Sequence, residues 1–175
     1  WEPIPPGWES VLDDTGKQLY QKGTTNVWSI ISADSDLNLV YLPTGNTSPD
    51  YYGGDRNGLD YYSSSVVALN ADTGDVVWHF QTVHHDVWDY DVPSQPTFYD
   101  VEKDGQTIKA LAQTTKTGLV FLLNRENGEP IYPVEEREVP QGHVEGDYLS
   151  KTQPFPTKPA PLTPSYFDPE KSPWG

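Results

Sequence analysis

The sequence predicts an all-β fold, and three observations carry that expectation. Seventeen Pro and fourteen Gly in 175 residues interrupt helices and supply turns along the whole chain. Aromatic residues reach 13%, with six Trp and eleven Tyr, and such side chains favour the pleated, half-buried surface of a sheet. Short apolar runs alternate with clusters of Asp, Asn, Gly and Ser, which is the texture of strands and turns rather than of helices.

Taken in order, residues 1–25 are rich in turn formers (Pro3, Pro5, Pro6 and Gly7, then Asp13-Asp14-Thr15-Gly16) and read as an incoming connection. Val27-Trp28-Ser29-Ile30-Ile31 is the first expected strand, closed by Ala33-Asp34-Ser35-Asp36. Leu39-Val40-Tyr41-Leu42 is the second, closed by Pro43-Thr44-Gly45-Asn46. Beyond a polar loop holding Gly53-Gly54-Asp55-Arg56, Ser65-Val66-Val67-Ala68-Leu69 runs through Asn70-Ala71-Asp72-Thr73-Gly74 into Val76-Val77-Trp78-His79-Phe80. Asp72-Thr73-Gly74 is strong hairpin chemistry, because Gly takes a left-handed backbone without steric cost. The later expected strands are Pro96-Thr97-Phe98-Tyr99-Asp100-Val101, Thr107-Ile108-Lys109-Ala110-Leu111-Ala112, Val120-Phe121-Leu122-Leu123 and, past Asn124-Arg125-Glu126-Asn127-Gly128, Pro130-Ile131-Tyr132. Residues 138–175 are Pro-rich and read as an extended crossover or tail, poorly ordered on its own.

Val67-Ala68-Leu69-Asn70 aligns on Phe121-Leu122-Leu123-Asn124, and Gly74 then falls on Gly128, an offset of 54 residues. Units of about four short strands repeating at this spacing are the signature of propeller blades. A sandwich with one chance hairpin similarity is the alternative, but the similarity runs through strand, turn and following strand. The first four-stranded antiparallel blade is expected over 26–82, and a loop with the second blade over 83–137. Two blades cannot close a ring of the usual four to eight or so and would leave open strand edges. The rest of the ring must therefore come from sequence beyond this chain, another chain or a rearranged packing.

Formal net charge is −15 and the isoelectric point about 4.3, so phosphate backbones are repelled and nucleic acid is not an expected partner. No apolar run approaches the roughly 20 residues of a membrane-spanning helix. No basic start leads into an apolar stretch, so no signal peptide is visible. A chain that begins at Trp1 and contains no Met reads as a mature form or as a segment of a longer protein. The absence of Cys excludes disulfides, thiolate metal sites and a Cys nucleophile within these residues.

The densest chemical signal is His84-His85-Asp86-Val87-Trp88-Asp89-Tyr90-Asp91, between the two expected blades. Three carboxylates and two imidazoles in one loop can bind a metal, act as a general base or form a structural polar network. Adjacent histidines do not easily face one ion, which argues against zinc. The stretch from Gln81 through Asp91-Val92-Pro93-Ser94-Gln95-Pro96 resembles the corresponding loop of membrane-bound pyrroloquinoline quinone (PQQ)-dependent dehydrogenases of the glucose/quinate/shikimate family. So do Pro43-Thr44-Gly45-Asn46-Thr47-Ser48-Pro49-Asp50, Gly53-Gly54-Asp55-Arg56, Lys116-Thr117-Gly118, Val139-Pro140-Gln141-Gly142, Gly146-Asp147-Tyr148 and Thr152-Gln153-Pro154-Phe155. Linked motifs in one order are far more specific than any one of them.

The resemblance implies an eight-bladed β-propeller around PQQ, with calcium or magnesium as Lewis acid. It implies oxidation of a sugar or polyol, glucose first and quinate or shikimate next, with electrons passed to ubiquinone at the periplasmic side of the inner membrane. Asp89 matches the base that takes the substrate's hydroxyl proton. Lys116, 27 residues later, matches the cation beside the quinone carbonyls. Asn46, Asp89 and Asp91 match positions for the metal, and His84 and His85 for the substrate entrance. The missing blades would be obligatory partners, so the isolated chain is expected to be inactive. Two other readings stay open: a non-catalytic propeller scaffold, and a carbohydrate-binding module using Tyr51, Tyr52, Tyr61 and Tyr62.

Overall fold

The computed structural model describes Thr15, residues 25–56, residues 60–164 and Glu170. The expected incoming connection over 1–25 therefore lies outside the described residues, apart from Thr15 and Thr25. Among those described there is no α-helix, and none is long and apolar enough to cross a membrane. The first sheet has four antiparallel strands in chain order: β1 (Ser32–Asp34), β2 (Leu39–Pro43), β3 (Ser65–Asn70) and β4 (Val76–Gln81). The second has three: β5 (Thr97–Lys103), β6 (Gln106–Thr114) and β7 (Val120–Asn124). A separate ribbon pairs β8 (Val134–Glu138) with β9 (Thr152–Pro156).

Alternation decides which faces meet. Leu39 and Tyr41 of β2, Val66 and Ala68 of β3 and Trp78 of β4 turn inward, and Leu111, Phe121 and Leu123 of the second sheet join them in one core. Fully burying side chains such as Phe121 or Leu111 stabilises by about 1.5–3 kcal/mol each, so the contact between the sheets is the main apolar gain.

The 54-residue repeat reappears in the hydrogen bonds. Asn70 N–H donates to Asp75 O at 2.8 Å and Gly74 N–H to Asn70 O at 2.9 Å; Asn124 N–H donates to Glu129 O at 2.8 Å and Gly128 N–H to Asn124 O at 2.9 Å. Gly74 and Gly128 have φ of 77° and 75°, the left-handed region both turns need. The second turn also locks onto the first sheet. Tyr41 Oη and Trp78 Nε1 each donate to the Arg125 carbonyl at 3.0 Å. The Arg125 guanidinium reaches Asp34 at 3.1 Å and Asp100 at 2.9 Å, and lies 4.6 Å from the centre of the Phe98 ring.

Three expectations need correction. The first strand is not Val27-Trp28-Ser29-Ile30-Ile31 but the next three residues, in register with 39–41 of β2. Extending it backwards would set Ile30 opposite Pro43, which has no N–H for the ladder, while Thr44 and Gly45 donate to Ser65 and Asn26 instead. The second sheet lacks a full fourth strand. Pro130-Ile131-Tyr132 supplies only one bridge, Leu123 with Pro130, and one bond from Ile131 N–H to Leu122 O at 2.8 Å, because Pro130 and Pro133 interrupt the donors. The Pro-rich tail is not merely draped: its segment β9 pairs with β8 over five residues, and Phe155 packs against the core.

The two glycines should respond differently to substitution. A Cβ at Gly74 meets nothing within 4 Å, whereas one at Gly128 would lie 2.6 Å from the Trp78 ring. Gly74→Ala should cost about 1–2 kcal/mol for its left-handed backbone. Gly128→Ala should cost at least about 1–3 kcal/mol more, because Trp78 must move. Denaturant midpoints of the two variants give the comparison, and equal losses would contradict the packing of Trp78 on this turn.

Candidate functional site

Residues 82–96 link the two sheets and carry the acidic loop. The loop is tied down at both ends: Thr82 N–H donates to Ser64 O at 2.9 Å and Val92 N–H to Thr44 O at 3.1 Å. Arg56, 2% exposed, donates from its guanidinium to the Asp86 carbonyl at 2.6 Å and to Asp60 Oδ1 at 3.3 Å. The same guanidinium donates to the carbonyls of Pro49 and Asp50, so one buried cation gathers three stretches of loop. Asp89 sits on this frame with φ 60°, a left-handed position that is uncommon for a residue with a side chain.

Asp89, Asp91 and Lys116 come together. Lys116 stands on the tight turn between β6 and β7, where Thr115 N–H bonds to Leu119 O at 3.1 Å. Its Nζ donates to the Asp89 carbonyl at 2.7 Å, to Asp91 Oδ2 at 3.1 Å and to Asp89 Oδ2 at 3.4 Å. Partial burial alone would lower the Lys116 pKa, but the hydrogen bond and charge of Asp91, followed by the charge of Asp89, raise it above the ordinary lysine value. The ammonium is therefore permanent at physiological pH. Two carboxylates around one cation leave the cluster with an excess negative charge.

The expected metal set is not assembled. Asp91 Oδ1 accepts the Asn46 N–H and its Oδ2 accepts Lys116. The Asn46 side chain closes its own turn, donating to Asp50 O at 2.9 Å and accepting from Ser63 Oγ at 3.0 Å. The hard oxygen donors of Asn46, Asp89 and Asp91 have the right chemistry for calcium, which takes six to eight or so oxygens, yet protein donors already engage them. Among the described residues no group of three or more His, Cys, Asp or Glu is placed to hold a metal.

The two histidines separate. His84 is part-exposed, with Nδ1 2.6 Å from Gln81 Oε1 and Nε2 3.1 Å from Glu136 Oε1, and it borders a cavity of about 710 Å³ with Tyr61, His79 and Tyr148. His85 lines the same cavity but is held deeper: it is 5% exposed, with Nδ1 2.6 Å from Asp60 Oδ2 and Nε2 3.0 Å from Asp147 Oδ1. The Tyr148 ring stacks on it at 3.7 Å. Burial alone lowers its pKa, but hydrogen bonds to Asp60 and Asp147 overcome that and raise it. Burial would raise Asp147 in turn, and its hydrogen bonds to His85 and to the Gly53 and Tyr148 N–H groups bring it below the ordinary value. Asp60, Asp147 and Tyr148 carried no site expectation, since they lie far along the chain and only folding brings them to this ring. Of the four tyrosines proposed as a platform, Tyr61 and Tyr62 pack edge-to-face at 4.8 Å and both abut His79.

Lys116 also borders a cavity of about 720 Å³ walled by Val83, Trp88, Tyr90, Leu119 and Phe155. The Trp88 and Tyr90 rings stack with centroids 5.9 Å apart. Flat aromatic and apolar walls of this kind suit a planar ring system, with the Lys116 ammonium at one edge.

Consecutive blades, joined through a loop that folds an acid pair around a lysine, are the architecture of a β-propeller segment. The chain belongs to the family described as PQQ: Glucose/ethanol/alcohol dehydrogenase, beta-propeller domain, which matches residues 1–174. It is similar to quinoprotein glucose dehydrogenase A of Acinetobacter calcoaceticus, 50% identical over 137 residues, covering 74% of this chain and 17% of that protein. It is 41% identical over 139 residues to the quinate/shikimate dehydrogenase (quinone) of Acinetobacter baylyi, covering 78% of this chain and again 17% of the relative. The crystal structure of quinohemoprotein alcohol dehydrogenase from Comamonas testosteroni superposes with a TM-score of 0.56 at 29% identity, over 77% of this chain and 20% of that one. The chain thus spans less than a fifth of the length of those two sequence relatives.

The His85 clamp gives a stability profile with two limbs. The folded His85 pKa lies above the ordinary 6.5, so its contribution is complete below 6.5 and is lost as pH rises through the folded value. The folded Asp147 pKa lies below 3.8, so its contribution is complete above 3.8 and is lost as pH falls through the folded value. Denaturant midpoints measured across roughly pH 3 to 9 should decline on both sides. His85→Gln should flatten the alkaline limb, and an unchanged alkaline slope in that variant would rule the imidazolium out.

Proposed function

We propose that this chain supplies the general base and one cofactor-facing cation of a PQQ-dependent dehydrogenase that oxidises a sugar or polyol. The observation that carries this reading is the junction of Asp89, Asp91 and Lys116, formed across 27 residues by a loop between sheets and a turn within the second sheet. Relatives named for glucose and for quinate/shikimate oxidation support the substrate class, with glucose first. When bound, the quinone supplies the two-electron acceptor for the hydride equivalent. The Asp89 carboxylate takes the hydroxyl proton of the substrate, so that the alcohol carbon can give up its hydride. Lys116 holds the Asp89 main chain in place and sets positive charge where negative charge develops on reduction. Trp88 and Tyr90 offer stacked rings as a flat wall at that edge of the site. The same reading places the full-length protein at the periplasmic face of the inner membrane, with ubiquinone as the electron acceptor.

In the full-length protein, Asp89→Asn keeps the shape of the side chain but cannot accept the proton. Turnover of glucose in a dye-linked assay should fall on the order of 10²–10⁴-fold. Turnover near that of the unsubstituted protein would take Asp89 out of the base role, whereas an unsubstituted protein without quinone-dependent turnover would favour a non-catalytic propeller scaffold.

Lys116→Ala should lower kcat more than it raises KM, because the ammonium acts on charge that appears only during reduction. A variant with full kcat and a raised KM alone would place Lys116 in substrate binding instead.

A further inference from the structure

Asp89 stands in a turn whose shape is set by a carboxylate with no part in the chemistry described so far. Asp86 is completely buried, at 0% exposure. Its Oδ1 accepts the Trp88 N–H at 3.0 Å, and its Oδ2 accepts the Tyr90 N–H at 2.7 Å and the Ser64 hydroxyl at 2.6 Å. Those two N–H groups flank Asp89 on either side. The main-chain carbonyl of Asp86 is itself fixed by the buried Arg56 guanidinium at 2.6 Å. Within this short span both His85 and Asp89 hold positive φ, 43° and 60°. Residues with side chains keep such conformations only where the surroundings over-determine them.

We propose that Asp86 is a positioning residue for Asp89: by holding the peptide N–H groups of residues 88 and 90 it fixes the direction in which the Asp89 carboxylate leaves the turn, towards Lys116 and the substrate. The proposal rests on the reading of Asp89 as the base. A carboxylate is required because both oxygens serve as acceptors for donors on two sides. Burial pushes the Asp86 carboxyl up, and the bonds from Ser64, Trp88 and Tyr90, with the nearby Arg56 charge, oppose that push. An amide at this position would turn an N–H₂ towards a main-chain N–H and lose one of the two clasps. The Asp89 backbone would then relax from its left-handed conformation, and a misplacement on the scale of an ångström at a reacting group costs on the order of 100-fold in rate.

The test is a double-mutant cycle in the full-length, quinone-loaded protein, with turnover expressed per bound quinone. Asp86→Asn should lower kcat on the order of 10- to 100-fold with KM for glucose and quinone content nearly unchanged. Made on the Asp89→Asn background, the same substitution should lower the residual turnover no further. Ser64→Ala removes one of the three bonds and should give a smaller fall of the same kind, and it decides the matter if Asp86→Asn does not accumulate as folded protein. Equal falls on both backgrounds, or a loss confined to quinone content, would show a purely structural role and overturn the proposal. A dead Asp89→Asn beside a normal Asp86→Asn and a normal Ser64→Ala overturns the positioning role alone. Full turnover in Asp89→Asn overturns the base reading and this proposal with it.

Discussion

The structure depends on one main-chain oxygen. The carbonyl of Arg125 accepts hydrogen bonds from Tyr41 and Trp78, whose rings come from the first sheet, while Arg125 belongs to the turn that closes β7. Each such bond is worth about 0.5–1.5 kcal/mol net, but the penalty for losing it is larger: a buried phenol or indole N–H left without an acceptor costs about 1–3 kcal/mol. Burial pushes the Tyr41 phenol far above its ordinary pKa, so it remains a donor under all physiological conditions. With the two sheets held in this relation, the linking residues 82–96 have fixed ends. The acidic loop can then adopt backbone conformations that it would not hold on its own.

From the loop, order spreads to the tail by polar rather than apolar contacts. Arg56 gathers residues 49, 50, 60 and 86, and His85 extends the network to Asp147 and Tyr148. Because Arg56, Asp60, His85 and Asp86 at its centre are buried, these interactions act at low effective dielectric and each depends on the others being made. The ribbon of β8 and β9 completes the arrangement, since Phe155 reaches the core cluster while Gln153 reaches the loop. A sequence rich in proline thus becomes ordered through partners that lie mostly on its own flanks and on the loop it crosses.

Much of the fold was legible because local chemistry repeats. Asn70 with Gly74 and Asn124 with Gly128 announce the same turn twice, and all-β composition with strand-sized apolar runs left few alternatives. What misled was pairing. Val27-Trp28-Ser29-Ile30-Ile31 has the right residues for a strand, but Pro43 stands opposite in the register and ends the ladder, a constraint invisible until β2 has a partner. The weak fourth strand of the second sheet failed for a related reason, with prolines at 130 and 133. At the site, the meeting of Asp89, Asp91 and Lys116 was legible only through the resemblance of linked motifs, since spacing alone does not bring residue 116 to residue 89. Gly146-Asp147-Tyr148 stood out as a motif of the resemblance, but its pairing with His85 was not legible, because 62 residues separate Asp147 from that ring and only folding closes the distance. The roles of Asn46 and Asp91 as ion ligands were read from position in a motif, whereas hydrogen bonds within the folded loops commit the same oxygens elsewhere.

The tail is anchored to the loop by the amide of Gln153, which accepts from the N–H of His84 at 2.7 Å and donates to its carbonyl at 2.8 Å. A side-chain amide used in this way copies the edge of a neighbouring strand and reads only main-chain atoms. The main-chain clasp therefore does not depend on the side chain at position 84, which adds a separate contact of its own to Glu136 of the ribbon. That side chain points to the cavity bordered by Tyr61 and Tyr148. The result is a division of labour at one residue, whose main chain docks the tail while its ring helps to line the cavity.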